Sequence, residues 1–303
     1  MSAEIIYFSG TGNSLHVAKE LCCRLPDAWL RSIVGLLGQD VVTSEAEAVG
    51  FVFPQYASTM PNVVSNVLKR FDPGPAHYLF AIATRGGTDC FAFHELDAVL
   101  AQKGRQLDAY FCLTMPSGSA PLVKGFPEKT SPQRIQALES AMLARLDTIQ
   151  STIAERQTHR DEDTRSDTPP PLFLKPLTPL IRRITPALIR FGKQVERKFD
   201  FYVDGTCVGC GVCAQVCLAN RIQLVDGKPQ RPASTACYGC FSCLNYCPRH
   251  AVQIRSSWYL KSHTSENGRY HHPQVTARDI AAQKAAGRIV CQQAVMQGAT
   301  SSQ

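Results

Sequence analysis

The chain has 303 residues, of which 44% are hydrophobic and 19% are charged, so it is long enough for at least two domains with separate cores. No apolar run approaches the roughly 20 residues that span a bilayer, and the first residues show no basic leader followed by an apolar signal region. We therefore expect a soluble cytoplasmic protein without a transmembrane segment. The formal net charge is +7, and the sequence contains 13 cysteines.

The first predicted element is a strand at Glu4 to Phe8, which leads into the turn Ser9-Gly10-Thr11-Gly12-Asn13-Ser14 and then an amphipathic helix. Backbone amides, short hydroxyl groups and the positive end of a helix dipole together bind phosphate. No lysine follows the turn, so a triphosphate with Mg²⁺ is not expected. The turn resembles the phosphate loop of flavodoxins, which implies that FMN phosphate is held by Ser9, Thr11, Gly12, Asn13 and Ser14. The alternative is a plain structural turn.

Further strands and helices alternate along the next hundred residues. The apolar runs predict strands at Leu30 to Val34, Val49 to Phe53, Tyr78 to Ala83 and Leu107 to Leu113, with helices at Pro61 to Arg70 and Thr88 to Lys103. This rhythm predicts an α/β fold with a flavodoxin-like, doubly wound parallel sheet in the order 2-1-3-4-5. A ligand of such a sheet lies outside the carboxyl ends of its strands.

Two loops at those strand ends are candidates for the isoalloxazine ring of FMN. Their candidate residues are Pro54, Gln55, Tyr56, Ala57 and Ser58 in one loop, and Thr84, Arg85, Gly86 and Gly87 in the other. We expect Tyr56 to stack on a face of the ring, and the backbone of Gly86 and Gly87 to approach its edge. A cation at Arg85 favours anionic reduced flavin and so raises its potential. The alternative is a pair of ordinary polar loops with Tyr56 at the surface.

A loop with several prolines and glycines, and then a long helix, follow the fifth strand. The loop, Met115 to Thr130, is predicted to cover the flavin or to form a docking surface. Ser131 and Pro132 then begin a helix whose apolar stripe, from Ile135 to Ile153, predicts core packing. A charged stretch at residues 158–168 predicts a domain boundary.

Residues 169–198 form a basic, proline-containing connector, with short helices predicted to begin at Thr178 and Thr185. We expect the connector to pack on both domains. The alternative is docking to an acidic partner or peripheral contact with a membrane.

Eight cysteines form two sets with the same spacing, C-x2-C-x2-C-x3-C. Bacterial-type ferredoxins use this run to hold two [4Fe-4S] clusters, with the fourth cysteine of each set reaching across to the other cluster. The predicted ligands are Cys207, Cys210, Cys213 and Cys247 for one cluster, and Cys217, Cys237, Cys240 and Cys243 for the other. Zinc prefers separated C-x2-C pairs, and disulfides need an oxidising compartment, so both are disfavoured. One departure from the ferredoxin pattern is Leu218, where a proline is usual.

The clusters also change the meaning of the net charge. Two four-thiolate cubanes lower the formal charge from +7 to about +3. This excess is too small to favour nucleic-acid binding, so no nucleic-acid partner is expected.

The remainder of the chain predicts one more strand and one more helix. Ala251 to Ile254 is predicted to close a small α+β ferredoxin-like sheet, and Thr276 to Ala286 to form a helix with a Thr-x-x-Asp cap. The segment Gly268-Arg269-Tyr270-His271-His272-Pro273 is expected to pack across the two domains, with metal binding by His271 and His272 as the alternative. The remaining cysteines, Cys22, Cys23, Cys90, Cys112 and Cys291, have no ligand spacing and are expected to be buried thiols, and the last residues are expected to be disordered.

Taken whole, the chain resembles the flavodoxin–ferredoxin fusions of the EFR1 family of ferrodoxins, through the Ser9 to Ser14 loop, the basic connector, the doubled cysteine motif and the Gly268 to Pro273 segment. The predicted divisions are a flavodoxin-like domain at 1–157, a connector at 158–200, a two-cluster domain at 201–256 and an extension at 257–303. The resemblance implies one FMN and two [4Fe-4S] clusters in an electron-transfer protein.

The coexisting sites predict that electrons pass between FMN, the clusters and a redox partner protein, with no side chain acting as an acid or base. The alternatives are an FMN-dependent reductase of a small molecule, such as a quinone, a nitro or azo compound or an activated alkene, and a redox sensor. No dinucleotide fingerprint follows a strand, so direct oxidation of NAD(P)H is not expected.

Overall fold

The computed structural model describes residues 1–118, 130–162, 165, 184, 199–232, 234–255 and 269–290. Its strands are β1 Ala3–Tyr7, β2 Ala28–Ser32, β3 Ala48–Pro54, β4 Tyr78–Arg85, β5 Ala109–Thr114, β6 His159–Arg160, β7 Phe201–Val203, β8 Gln223–Val225, β9 Lys228–Gln230, β10 Val252–Ile254 and β11 Arg288–Val290. Its α-helices are α1 Asn13–Arg24, α2 Asn62–Arg70, α3 Ala92–Ala101, α4 Pro132–Ala154, α5 Val212–Gln215, α6 Ser242–Asn245 and α7 Ala277–Ala282.

The large sheet has the strand order β11-β2-β1-β3-β4-β5-β6. Strands β1 to β5 are parallel to one another and follow the order 2-1-3-4-5. Every residue of β1 and β4 is buried, as expected for strands covered on both faces. Helix α1 packs with α4, and α2 packs with α3, on the two sides that the reversal of strand order creates. The predicted flavodoxin-like, doubly wound fold is therefore confirmed.

Two strands at the edges of this sheet were not predicted. β6 extends the sheet beside β5, and β11 joins β2 in antiparallel orientation. They contain only two and three residues, too few for a periodic pattern in the sequence. β2 runs from Ala28 to Ser32 instead of from Leu30 to Val34, and it ends earlier because the chain turns into a 3₁₀ helix at Val34–Leu36. Both edge strands lie outside residues 1–157, and the predicted division of the chain into four parts stays a prediction.

The second half of the chain contains a small antiparallel ladder and a hairpin. β7 pairs with β10, which confirms the strand predicted at Ala251 to Ile254, and β8 pairs with β9. We call residues 199–255 the cluster half and residues 1–162 the sheet half. Within the cluster half, the first cysteine loop is residues 207–217, and the second cysteine loop is residues 237–247.

One hydrophobic core extends across the two halves, and the cluster half has a second, smaller core of its own around Phe241 and Leu244. Val216, Leu218 and Tyr246 of the cluster half belong to the same buried group as the strands of the large sheet. Leu218 is 2% exposed, so the leucine that departs from the usual ferredoxin proline is an interdomain packing residue. Helix α7 begins with the predicted cap, in which the side chains of Thr276 and Asp279 bond to each other's backbone amides.

In the described ranges, the helices are too short or too polar to cross a membrane. Several predictions lie outside those ranges: the helices beginning at Thr178 and Thr185, most of the Met115 to Thr130 loop, Cys291 and the last residues. The cytoplasmic location stays a prediction.

Candidate functional site

The structure brings the cysteines of the doubled motif together in two separate cavities. One cavity, here the first cluster site, is lined by Cys207, Cys210, Cys213 and Cys247. The other, the second cluster site, is lined by Cys217, Cys237, Cys240 and Cys243. Each set joins three cysteines of one loop with the fourth cysteine of the other, as the spacing predicts. Four convergent sulfurs around an internal space fit a cubane cluster.

Local backbone structure points amide groups at these sulfurs. The amides of Arg221, Gly239 and Ala251 donate to the sulfurs of Cys217, Cys237 and Cys247, at 3.3, 3.4 and 3.2 Å. Hydrogen bonds of this kind stabilise negative charge on the sulfur and raise the reduction potential of a bound cluster. The loops therefore supply the electrostatic environment that thiolate ligands require.

Burial is the dominant influence on three of the cysteine thiols. It raises the pKa of Cys240 to about 11, and it raises the pKa values of Cys243 and Cys213 as well. The Arg231 cation opposes the rise in the pKa of Cys243 and Cys213. Without metal these sulfurs are protonated thiols at neutral pH, so cluster assembly must displace their protons.

The predicted phosphate loop connects β1 to α1 and is held by an unforeseen partner. Gln283 is fully buried; its side-chain oxygen accepts from the Ser9 amide at 2.9 Å, and its side-chain nitrogen donates to the Ser9 carbonyl at 2.8 Å. Gly12 precedes α1 with φ 98°, a conformation that favours glycine, and its amide donates to the Ser9 hydroxyl. The first amides of α1 have no acceptor within the helix, so they are available to an anion at this turn.

A cavity that opens to solvent lies at the carboxyl ends of the parallel strands, where a doubly wound sheet binds its ligand. Its lining contains ten of the predicted FMN residues: Ser9, Thr11, Asn13, Ser14, Pro54, Gln55, Tyr56, Thr84, Arg85 and Gly86. It also contains Gly10 of the predicted phosphate turn, and Pro116, Ser117 and Gly118 from the loop predicted to cover the flavin or form a docking surface. Two lining residues, Cys240 and Phe241, were not predicted. We call this space the flavin cavity, after the ligand that the sequence predicts for it.

Four predicted FMN residues, Gly12, Ala57, Ser58 and Gly87, do not line the cavity. Ala57 and Ser58 form a tight turn with positive φ, closed by hydrogen bonds between Tyr56 and Thr59. Gly12 faces the carboxyl-terminal segment instead, since a Cβ there would lie 2.9 Å from those of His272 and Val275. These residues shape the loops without facing the cavity.

In the cavity lining, the side-chain oxygen of Gln55 and the hydroxyl of Tyr56 are buried without a hydrogen-bond partner in the protein. Burial raises the pKa of Tyr56, and the sulfurs of Cys240 and Cys237 add to the rise, so the hydroxyl stays protonated. A buried polar atom without a hydrogen-bond partner destabilises the fold unless a ligand supplies that partner. An isoalloxazine ring carries polar groups along its edge, so the lining fits FMN: amides and hydroxyls for its phosphate, and Gln55 and Tyr56 for its ring.

The second cysteine loop touches the phosphate loop directly. The Ser242 hydroxyl donates to the Gly10 carbonyl at 2.8 Å, and a Cβ at Gly10 would overlap the carbonyl oxygen of Cys240. Phe241 has φ 58°, which is strained for a residue other than glycine. Cys240 and Phe241 therefore lie in the wall of the flavin cavity. None of the four cysteines of the first cluster site lines it.

The segment Arg269 to His272 crosses between the halves, as predicted. Arg269 donates to the carbonyls of Leu244, His250 and Val252 in the cluster half. The Tyr270 hydroxyl donates to the Asn13 side chain at 3.1 Å, and the His272 amide donates to the Thr11 carbonyl at 2.8 Å. This segment therefore links the phosphate loop to the cluster half.

His272 also meets two residues that the sequence did not suggest, His16 and Glu139. Glu139 accepts from the Nε2 atoms of His16 and His272 at 2.7 and 3.2 Å. The two rings stack 3.9 Å apart, and Nδ1 of His272 accepts from the Gln274 amide. This acceptor role puts the proton of neutral His272 on Nε2, where it is donated to Glu139 and leaves no lone pair for a metal. The group is a hydrogen-bonded clamp.

Comparison with known proteins places the cysteine region in a defined class. Residues 200–248 match the family model of the 4Fe-4S dicluster domain. No curated protein sequence matches the chain. The chain therefore combines a two-cluster iron–sulfur domain with a flavodoxin-like sheet, and it is an iron–sulfur electron-transfer protein.

Two similar solved structures are Smu.1420 from Streptococcus mutans UA159 and the rubredoxin oxygen:oxidoreductase of the anaerobe Desulfovibrio gigas. The first is 13% identical with a TM-score of 0.34, over 49% of this chain and 100% of that chain. The second is 14% identical with a TM-score of 0.28, over 50% of this chain and 37% of that chain. Both values of the TM-score are low, so the fold assignment rests on the strand order described above.

Proposed function

We propose that this protein passes electrons between FMN and two [4Fe-4S] clusters, and from there to a redox partner protein. The observation that carries the proposal is the shared wall between the sites: Cys240 and Phe241 of the second cysteine loop line the flavin cavity. The second cluster site is thus the neighbour of the flavin. The first cluster site lies farther along the chain of centres, and its ligand Cys210 is exposed. The route runs from the flavin cavity through the second cluster site to the first.

The residues of the sheet half bind and orient FMN in this proposal. The amides of α1 and the hydroxyls of Ser9, Thr11 and Ser14 hold its phosphate, and Gln55 and Tyr56 bond its ring edge. Arg85 is 3% exposed and donates to the Thr88 carbonyl at 3.0 Å, which fixes a cation in the cavity lining. When bound, FMN exchanges one or two electrons and each cubane exchanges one.

The residues of the cluster half hold the two remaining centres in order. Ser242 fixes the second cysteine loop on Gly10, and Leu218 and Tyr246 bury the joint between the halves. A short, rigid contact favours electron transfer because no domain movement has to bring the centres together. No proton has to move through a side chain along this route.

Direct reduction of a small molecule at the flavin is the alternative. It calls for an apolar pocket beneath the Met115 to Thr130 loop. The described start of that loop adds Pro116, Ser117 and Gly118 to the cavity lining. The contact of the cavity with the second cysteine loop is the observation that favours electron transfer to a protein. Membership of the EFR1 family and the four predicted chain divisions remain part of the proposal.

Anaerobic purification of the full chain tests the proposed set of cofactors. We expect about eight iron atoms, about eight sulfides and one FMN per chain, since each cubane holds four of each. Reduction by a one-electron donor should bleach the clusters first and the flavin afterwards. Loss of the clusters with FMN retained, and unchanged transfer from FMN to a protein acceptor, would contradict the route.

A further inference from the structure

An exposed apolar surface lies over the first cluster site. Val208, Leu224 and Val225 are 64, 43 and 41% exposed, and we call them the hairpin patch. Seven large hydrophobic side chains are exposed in the described part of the chain, and three of them form this patch. Cys210, a predicted ligand two residues from Val208, is itself exposed. A cluster held there has its edge at the molecular surface.

The β8–β9 hairpin lies directly on the first cysteine loop. A Cβ at Gly209 would meet the Gly227 carbonyl oxygen at 2.6 Å, and one at Gly211 would meet Leu224 Cδ1 at 3.1 Å. Leu224 and Pro229, which pair across the hairpin, line the same cavity as Val208 and the four cysteines. Val225 and Lys228 are the next pair, and they lie on the opposite, outer face of the hairpin because successive strand residues point to opposite sides. The hairpin is therefore the outer wall of the first cluster site, and a molecule that covers its outer face comes close to the cluster.

Two cationic side chains border the patch. Lys228 is paired with Val225 across the hairpin, and Arg249 lines the cluster cavity; both are exposed. Asp226, at the hairpin turn, is the acidic neighbour. An apolar centre with a charged rim is typical of docking surfaces, and cations at the rim increase the association rate of an acidic partner.

We propose that the hairpin patch, with Lys228 and Arg249, is the docking surface of a small acidic protein that carries one electron. One electron passes between this carrier and the first cluster: the donor is oxidised, the acceptor is reduced, and no bond or proton moves. The inference rests on the proposed function, because it assigns the outer end of the route. It adds the surface, its residues and the charge of the partner.

Stopped-flow mixing of the oxidised, fully loaded protein with a reduced, small acidic [2Fe–2S] ferredoxin tests this surface. The second-order rate constant is measured from cluster bleaching at several salt concentrations. Val225→Glu and Lys228→Glu, which lie outside the cysteine loops, should each lower it about tenfold at low salt. The wild-type rate constant should fall as salt rises, and the Lys228→Glu variant should show a weaker fall.

Matched controls lie at the opposite edge of the sheet half. Val41 is 59% exposed and precedes β3, and Lys69 is exposed near the end of α2, so both lie at the amino ends of the parallel strands. Val41→Glu and Lys69→Glu make the same changes of polarity and charge. We expect both to keep the wild-type rate constant within about twofold. Iron content and cluster spectra check that every variant is loaded.

Each other outcome is decisive. Equal rate constants in the hairpin and control variants would overturn the docking surface. So would a wild-type dimer that Val225→Glu dissociates without a change in rate, because the patch would then be a contact between copies. If the clusters are reduced in a patch-dependent way while bound FMN stays oxidised, the docking surface stands and the proposed flavin route fails.

Discussion

The two cysteine loops have the same spacing and opposite surroundings. In the first loop, Cys210 and Val208 are exposed, and the residue after Cys210 is a glycine in the left-handed conformation, Gly211 with φ 79°. In the second loop the equivalent position is Phe241, which is 8% exposed and adopts the same conformation with φ 58°. At this position the first loop has a glycine beside the exposed Cys210, and the second loop has a strained phenylalanine that packs inward.

The difference follows from what each loop touches. Phe241 packs against Phe199 and Phe201 with ring centroids 4.9 and 5.7 Å apart, and the next residue, Ser242, binds the phosphate loop. The start of the first loop, at Gly209 and Gly211, contacts the exposed β8–β9 hairpin, while Val216 near its end joins the core shared with the sheet. Spacing thus decides which sulfurs meet, while the neighbouring residues decide which cluster site lies beside the flavin cavity and which lies at the surface.

Of the two cysteine loops that the structure describes, only the second contacts the phosphate loop, and a substitution at Gly10 breaks this contact most directly. In Gly10→Ala the new Cβ overlaps the backbone carbonyl of Cys240, which has no rotamer to escape into. We expect a loss of about 1–3 kcal/mol in the free energy of unfolding and a fall of about tenfold in FMN affinity. Chemical denaturation and FMN fluorescence titration measure the two effects.

The control is Gly38→Ala, where a Cβ meets no atom within 4 Å. It should change the free energy of unfolding by less than about 0.5 kcal/mol. Equal behaviour of the two variants would mean that the phosphate loop and the second cysteine loop are not in contact.

The hydroxyl of Tyr56 also tests the difference between the two loops, because it lies beside Cys240 of the second loop without a hydrogen-bond partner in the protein. Without FMN, Tyr56→Phe should raise the free energy of unfolding by about 1 kcal/mol, because an unpaired buried hydroxyl is removed. With FMN present, the variant should bind it about fivefold more weakly, because the ligand loses a donor. Thermal unfolding without FMN measures the gain in stability, and thermal unfolding with FMN measures the weaker binding.

Tyr78→Phe is the matched control, because its hydroxyl is satisfied by the Gln157 carbonyl at 2.7 Å. It should lose about 1 kcal/mol of stability with or without FMN. A stability loss in FMN-free Tyr56→Phe would show that the hydroxyl already has a partner.

The contribution of the clamp formed by His16, Glu139 and His272 to the stability of the fold should depend on pH. Burial and the neighbouring His16 lower the pKa of His272 below its usual 6.5, and His271 acts in the same direction, while Glu139 opposes them. Since the folded pKa is lowered, this contribution to stability is present above about pH 6.5 and is lost as the pH falls through the folded value. When the pH falls from about 7.5 to 5.5, the free energy of unfolding of His272→Gln should decrease by up to about 1 kcal/mol less than that of the wild type. Parallel pH dependence in denaturant unfolding of both proteins would contradict this role.

Local patterns predicted much of this molecule. The apolar runs predicted β1 to β5 and their order, and the spacing of the cysteines predicted which of them meet. Long-range contacts were missed: β11 returns to β2, Gln283 holds Ser9, and Glu139 joins His16 to His272. Each joins residues more than 100 positions apart, which no periodicity within one element can reveal. Phe241 in place of glycine was the local sign that the second loop packs inward, and Leu218 in place of proline, directly after the first loop, was the local sign of packing between the halves.

The central claim is that the second cluster site connects the flavin to the outside. Cys243→Ser and Cys213→Ser each remove one ligand, the first from the second cluster site and the second from the outer one. In rapid-mixing experiments on protein with FMN reduced, we predict that Cys243→Ser loses electron transfer both to the remaining cluster and to an acidic ferredoxin. In Cys213→Ser, FMN should still reduce the cluster of the second cluster site. Only the transfer from that cluster to ferredoxin should be lost. Wild-type transfer from FMN to ferredoxin in Cys243→Ser, with FMN content unchanged, would contradict the account.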